Sequence, residues 1–125
     1  MKLHPDDLPP LNTVTAYDDG YVDINLQRHM GSVIIMPELP VRAWPVASFA
    51  SLDATHFEML LEDQPELVIF GSGARLRFPH PKLTAALAER RIGIETMDLQ
   101  AACRTYNVLM AEGRKVAAAL LIESV

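Results

Sequence analysis

A short segment, Gly71-Ser72-Gly73, has the composition of a ligand-binding loop. It follows the unbroken apolar run Leu67–Phe70, and loops at the carboxyl ends of buried strands are where α/β proteins bind ligands. Arg75, Arg77 and His80 come next in the chain, so exposed backbone amides and positive charge would together suit a small anion. The alternative interpretation is a tight turn with solvated arginines.

The same loop lacks the dinucleotide-binding fingerprint. That fingerprint requires a third glycine at position 76, where the chain has Leu76, and a helix directly after the loop to hold the pyrophosphate. Pro79 and Pro81 delay the helix here. Glu95 occupies the place of a ribose-binding acid, but one acid is weak support for nucleotide binding. Ser72 is no nucleophile elbow, because the Gly-x-Ser-x-Gly spacing is missing.

Cys103, the single cysteine of the chain, has two interpretations. Arg104 and His80 are residue types that lower a thiol pKa, which would make Cys103 a nucleophile. However, it lies between Ala102 and Tyr106 on the apolar stripe of a predicted helix, which favours a buried structural thiol. A lone cysteine also rules out an internal disulfide and suits a reducing compartment.

A second polar set, Glu95, Asp98, Arg104 and Asn107, falls near one edge of the predicted sheet. An acid and a base could be hidden among them; the structural interpretation is capping by Asp98, an ion pair for Arg104 and exposure for the others. We assign no catalytic residue. The histidines are too far apart for ligand spacing, so we predict no metal and no cofactor. The predicted ligand-binding residues are Gly71, Ser72, Gly73, Arg75, Arg104 and Asn107.

The elements that must position these residues change character near residue 51. Before it, Val14–Tyr17 and Tyr21–Ile24 flank an Asp-Asp-Gly turn and predict a hairpin, and Ser32–Met36 predicts a further strand. Prolines on either side limit Val41–Trp44 to an edge strand, because proline cannot donate to a sheet ladder. The first half is therefore predicted to consist of strands and turns.

After residue 51 the spacing of apolar residues is about 3.6, which is typical of helices. Helices are predicted from Ser51 or Asp53, over Lys82–Arg91 and from Asp98 to Glu112, alternating with strands over Leu67–Phe70, Ile92–Thr96 and Lys115–Ile122. This alternation implies parallel strands joined by crossovers. Leu67–Phe70 should lie in the middle of the sheet, because no polar residue interrupts it.

Composition predicts one cytoplasmic domain. With 125 residues, half of them apolar, the chain is long enough for one core and too short for two. The net charge is −5 and the basic residues are scattered, so we predict no nucleic-acid partner. No apolar stretch approaches the ~20 residues of a transmembrane segment. Met1–Pro10 lacks the character of a secretory signal or a mitochondrial presequence.

Several segments resemble the family called domain of unknown function 498. They are Gly93–Leu109, which contains the run Ala-Cys-Arg-Thr-Tyr-Asn, together with Glu112–Arg114, Val116–Leu120, Leu67–Gly73 and Trp44-Pro45. The resemblance implies a three-layer α/β fold, with a mixed central sheet flanked by helices and a small extra β layer from the N-terminal half. The family includes a mitochondrial assembly factor for respiratory complex I and many bacterial proteins of unknown function.

Two hypotheses for function follow. The resemblance implies a non-enzymatic interaction protein with a protein partner, an assembly factor for respiratory complex I or a similar complex. The alternative is a small-molecule or anion-binding protein, or an enzyme, that uses the crevice at the Gly71-Ser72-Gly73 loop. Homodimerisation through the edge strand near Val41 or through the N-terminal hairpin is a third arrangement.

Overall fold

The structure, a computed structural model, describes residues 10–123. Its N-terminal half contains a small antiparallel sheet with the strand order β1-β2-β3, formed by β1 Val14–Asp18, β2 Tyr21–Ile24 and β3 Gln27–His29. The predicted hairpin is therefore confirmed, and β3 extends it by one strand.

The larger sheet is mixed and has the strand order β5-β4-β8-β6-β7. Its strands are β4 Val33–Ile35, β5 Arg42–Ala43, β6 Leu67–Gly71, β7 Gly93–Met97 and β8 Val116–Leu120. Strand β6 is parallel to both of its neighbours, whereas β4 is antiparallel to β8 and to β5. The interior position predicted for β6 and the parallel pairing are confirmed, and β5 is the predicted edge strand.

Helix α3, Leu99–Ala111, has the ends that its flanking residues predict. The Asp98 carboxylate accepts the N–H of Ala101 at 2.9 Å, which satisfies a free amide of the first turn. At the other end Gly113 has a φ of +80°, and its N–H donates to the carbonyl of Met110 at 3.0 Å. A left-handed glycine that closes the last turn in this way ends many helices.

Helix α1 is shorter than its apolar residues suggest. It spans Ala54–Glu58 and continues as a 3₁₀ turn over Met59–Leu61. Asp53 is the capping residue, as one of the two alternatives predicted, and its carboxylate accepts the N–H of Thr55 at 2.9 Å.

Helix α2, Ala85–Glu89, follows a 3₁₀ turn over Pro81–Thr84. The prediction of one continuous helix over Lys82–Arg91 is therefore wrong. Thr84 leaves α-helical geometry with ψ at 9°, and Arg91 turns the chain with φ at +56°. The spacing of apolar residues does not reveal such a break, because a 3₁₀ turn followed by an α-helical turn can keep its apolar side chains on the same face as a continuous α-helix would. No helix within residues 10–123 is long and apolar enough to cross a membrane.

Two apolar clusters lie on opposite faces of the larger sheet. On one face, α3 packs between this sheet and the small one, whose Val14, Val22 and Ile24 join the same cluster. On the other face Trp44 packs edge-to-face against Phe57, with ring centroids 5.9 Å apart, next to α1 and α2. The predicted fold is confirmed: a mixed sheet between helices, with a small β layer outside α3.

Candidate functional site

The Gly71-Ser72-Gly73 loop leaves β6 at the edge of the sheet where β7 and β8 also end. All three residues are buried. Three of their backbone groups bond within the protein: Ser72 N–H donates to Met97 O at 2.8 Å, and the carbonyls of Gly71 and Gly73 accept from Leu121 N–H at 2.9 Å and Leu99 N–H at 2.8 Å. The loop is therefore fixed to β7, β8 and α3.

The Ser72 hydroxyl shapes the segment that follows the loop. It donates to the carbonyl of Arg75 at 2.8 Å and accepts the N–H of Arg77 at 2.9 Å. The residue is fully buried, so satisfying the hydroxyl matters for stability. Ser72 thus folds the chain back on itself.

The Arg77 side chain folds over the loop. Its Nη2 and Nε donate to the carbonyl of Ser72 at 2.6 and 3.2 Å. The guanidinium also pairs with the Glu123 carboxylate and lies 4.7 Å from the centre of the Phe49 ring. Of the positive charges predicted to attract an anion here, the one on Arg77 is therefore paired within the protein. The sequence does not indicate that Glu123 is the partner of Arg77, because the two residues are 46 positions apart.

Gly73 leaves room for this ion pair. Its φ is +97°, and a Cβ at this position would lie 2.7 Å from Arg77 Nη2 and 3.1 Å from Glu123 Oε1. A larger residue would be strained and would push the pair apart. The second glycine of the loop therefore accommodates two side chains of the protein itself.

The predicted ligand-binding residues fall into two groups. Arg75 lies beside the glycine loop and is exposed. Arg104 and Asn107 instead contact the small sheet: Arg104 Nη1 donates to the Tyr17 hydroxyl at 3.3 Å, and the Asn107 amide bonds to the backbone of Val14. The glycine loop contacts α3 at Leu99. Asn107 lies about 12 Å further along the helix, at a rise of about 1.5 Å per residue. Ligand binding by any of them stays a prediction.

Cys103 is a structural thiol. It is fully buried between α3 and the larger sheet, and burial raises its pKa to about 12, although the Arg104 charge acts in the opposite direction. A thiol with that pKa is almost entirely protonated at neutral pH and is a poor nucleophile. Within residues 10–123 no three or more histidine, cysteine or acidic side chains converge as a metal site would require.

Two exposed apolar side chains flank Arg77. Leu76 is 52% and Phe78 70% exposed, whereas Arg77 between them points inward to Ser72 and Glu123. We call residues 74–80 the anchored loop. The sequence signal for this arrangement is the alternation Leu-Arg-Phe beside two prolines. Residue type alone does not show that the arginine is the side chain that points inward.

The Arg77–Glu123 pair makes stability depend on pH. The hydrogen bond from Arg77, with a smaller contribution from the Phe49 N–H, lowers the pKa of Glu123 below its ordinary value although burial opposes the shift. The pKa of Glu123 is lower in the folded than in the unfolded protein. The pair therefore contributes fully to the free energy of unfolding above the unfolded pKa of ~4.3, and this contribution is lost as pH falls through the folded pKa. Glu123→Gln should cost about 1 kcal/mol at pH 7 and clearly less at pH 3.

Urea unfolding of both proteins across this pH range measures the effect. Glu58→Gln is the control, because Glu58 is exposed on α1 and forms no ion pair within residues 10–123. Its free energy of unfolding should stay within ~0.5 kcal/mol of wild type. An equal cost of Glu123→Gln at pH 7 and pH 3 would contradict the assignment.

The fold is that of a class of small α/β proteins known from solved structures. A crystal structure of a Bordetella parapertussis protein is 43% identical, has a TM-score of 0.85 and covers 92% of this chain and 98% of that one. A Bordetella pertussis protein solved by NMR, described as a Mth938-like domain, is 37% identical with a TM-score of 0.80, covering 99% and 94%. The chain belongs to the family described as "Protein of unknown function (DUF498/DUF598)", which matches residues 14–121.

A mouse relative carries a functional name. "NADH dehydrogenase [ubiquinone] 1 alpha subcomplex assembly factor 3" from Mus musculus is 29% identical over 123 residues, which is 97% of this chain. The chain spans 66% of the length of that relative. The family resemblance seen in the sequence is therefore confirmed.

Proposed function

We propose that this protein is a cytoplasmic, non-enzymatic interaction protein that binds a protein partner as an assembly factor for respiratory complex I or a similar complex. The name of the mouse relative supports the class of partner. The structural observation that carries the proposal is the anchored loop, which presents Leu76 and Phe78 to solvent.

The anchored loop has the properties of a preorganised docking element. Its inner side is fixed by bonds from Arg77 to Ser72 and by the ion pair with Glu123. A leucine and a phenylalanine held in this way bury apolar area on binding and lose little conformational freedom. Isolated exposed apolar residues are common on protein surfaces; two that flank a tethered arginine favour a contact surface.

A tagged protein expressed at native level tests the proposal. Affinity purification of the wild type should recover a respiratory subunit or a respiratory assembly protein. The double variant Leu76→Ser/Phe78→Ser should recover at least tenfold less, because truncating the anchors of an interface costs more than ~1 kcal/mol each. Its melting temperature should stay close to wild type, since both side chains are exposed.

Val108→Ser is the matched control, since Val108 is an apolar residue of α3 with 57% exposure. It should recover the partner as well as the wild type does. Recovery of no respiratory protein by the wild type would overturn the assembly role. Equal recovery by the double variant would show that the partner binds elsewhere.

A further inference from the structure

Strand β7 forms an open edge of the larger sheet. It pairs with β6 alone, and its Met97 carbonyl accepts the Ser72 N–H at 2.8 Å. Because successive residues of a strand alternate in direction, the N–H and C=O groups of Ile94 and Thr96 point away from the sheet. No residue within 10–123 hydrogen-bonds to these four groups.

The opposite edge of the sheet, strand β5, is protected against pairing with another chain, whereas β7 is not. Strand β5 has two residues and is followed closely by Pro45. The Arg42 side chain pairs with Glu62 at 2.9 Å and with Asp63 at 3.0 Å. Short length, proline and charge are how proteins prevent an edge strand from pairing with another chain. Strand β7 has five residues and no proline.

A groove of about 380 Å³ runs beside β7. Leu67 and Glu95 line it from the sheet, and Thr105 and Leu109 line it from α3. Arg114 also reaches it, but its guanidinium pairs with Glu66 at 2.7 Å. Glu95 is exposed and forms no ion pair with the part of the chain that the structure describes. Its negative charge therefore has no partner in the groove.

We propose that β7 accepts an extended segment of a protein partner as an additional strand, with a basic side chain of that segment beside Glu95. Main-chain bonds to Ile94 and Thr96 would supply affinity, and the groove would select alternate side chains. This inference rests on the proposed protein-binding role, but it uses residues outside the anchored loop.

A second copy of the chain fits this edge poorly. Two β7 strands with the greatest antiparallel overlap place Ile94 opposite Thr96 of the other copy. The two Glu95 side chains then lie directly opposite one another. Like charges at facing positions destabilise a strand pair, and the net charge of −5 on each copy adds to the repulsion. The charge at Glu95 favours a basic partner strand.

Peptide selection against the whole chain tests the proposal, with a phage-displayed library of 12-residue peptides as the probe. Selected peptides should alternate β-branched residues with lysine or arginine. Thr96→Pro removes an N–H that points away from the sheet, and its ring occupies the place of a donor to an added strand, so it should weaken binding at least tenfold. Thr96→Val keeps the N–H and should bind as the wild type does. Glu95→Lys should reverse the preference toward acidic peptides.

Amide hydrogen exchange gives an independent measurement. The Ile94 and Thr96 amides should exchange rapidly in the free protein and become protected when a selected peptide is added. Failure to select any peptide, or equal binding to Thr96→Pro and Thr96→Val, would overturn the proposal. Protection of both amides that rises with protein concentration would show instead that a second copy occupies the edge.

The exchange measurement on wild type keeps the test decisive even if Thr96→Pro fails to fold. The Leu76→Ser/Phe78→Ser variant separates this inference from the proposed function. It should keep full peptide binding at β7 while it loses the partner that the anchored loop recruits.

Discussion

Gly71→Val should lower the free energy of unfolding by about 3 kcal/mol, the upper part of the range for overpacked cores. A Cβ at Gly71 would lie 3.0 Å from Ala102 Cβ and 3.2 Å from Leu120 Cδ2. The Leu120 side chain can rotate, but Ala102 Cβ is attached directly to the backbone of α3. The backbone of Gly71 cannot retreat either, because its carbonyl accepts the Leu121 N–H at 2.9 Å.

Gly93→Val is the matched control for this prediction. Gly93 lies in the neighbouring strand β7, and a Cβ there would meet nothing within 4 Å. Its free energy of unfolding should stay within ~0.5 kcal/mol of wild type, the usual range for exposed substitutions. Urea denaturation of both variants measures the difference. Similar values for the two would show that α3 can move away from β6 at low cost.

Local patterns were sufficient to predict the elements around Gly71. The apolar run at Leu67–Phe70 predicted an interior strand, and β6 indeed has a parallel neighbour on each side. Asp98 predicted the start of α3, because capping depends on residues within one helical turn, and Gly113 ends the helix in an equally local way. Where local geometry departed from the apolar period, as at Thr84 in the turn before α2, the sequence prediction failed.

The contacts that decide the candidate site are not local. Arg77 meets Glu123 from 46 positions away, and Asn107 meets Val14 from 93 positions away. Residue type and spacing indicated polar side chains near one edge of a sheet. They could not indicate that α3 turns Arg104 and Asn107 toward the small sheet instead.

The run that carries the family resemblance has structural roles in this chain. Ala102 packs against the position of Gly71, and Cys103 is buried. The Tyr106 hydroxyl donates to the carbonyl of Asn12 at 2.7 Å, and the Asn107 amide bonds to Val14. These residues hold α3 between the two sheets. The run is therefore a signature of the fold, and its residues serve packing and hydrogen bonding within the protein.

Asn107→Ala should loosen the small sheet on α3 and cost about 2 kcal/mol of unfolding free energy. Asn107 Oδ1 accepts the Val14 N–H at 2.9 Å, and its Nδ2 donates to the Val14 carbonyl at 2.8 Å. One side chain thus satisfies both backbone groups of a residue that is 5% exposed. Leaving half-buried polar groups without partners costs ~1–3 kcal/mol each, with the lower end applying where water can enter.

Asn107→Asp separates the two bonds, because a carboxylate keeps the acceptor for the Val14 N–H but loses the donor to the Val14 carbonyl. The second carboxylate oxygen would face the Val14 carbonyl oxygen, so Asn107→Asp should cost at least as much as Asn107→Ala. The Val14 amide should nevertheless remain protected from hydrogen exchange, because its acceptor is kept. In Asn107→Ala that amide should exchange faster while the amides of β6 stay protected, since β6 bonds to β7 and β8. Equal exchange at Val14 in all three proteins would mean that apolar packing of Val14, Val22 and Ile24 alone holds the small sheet on α3.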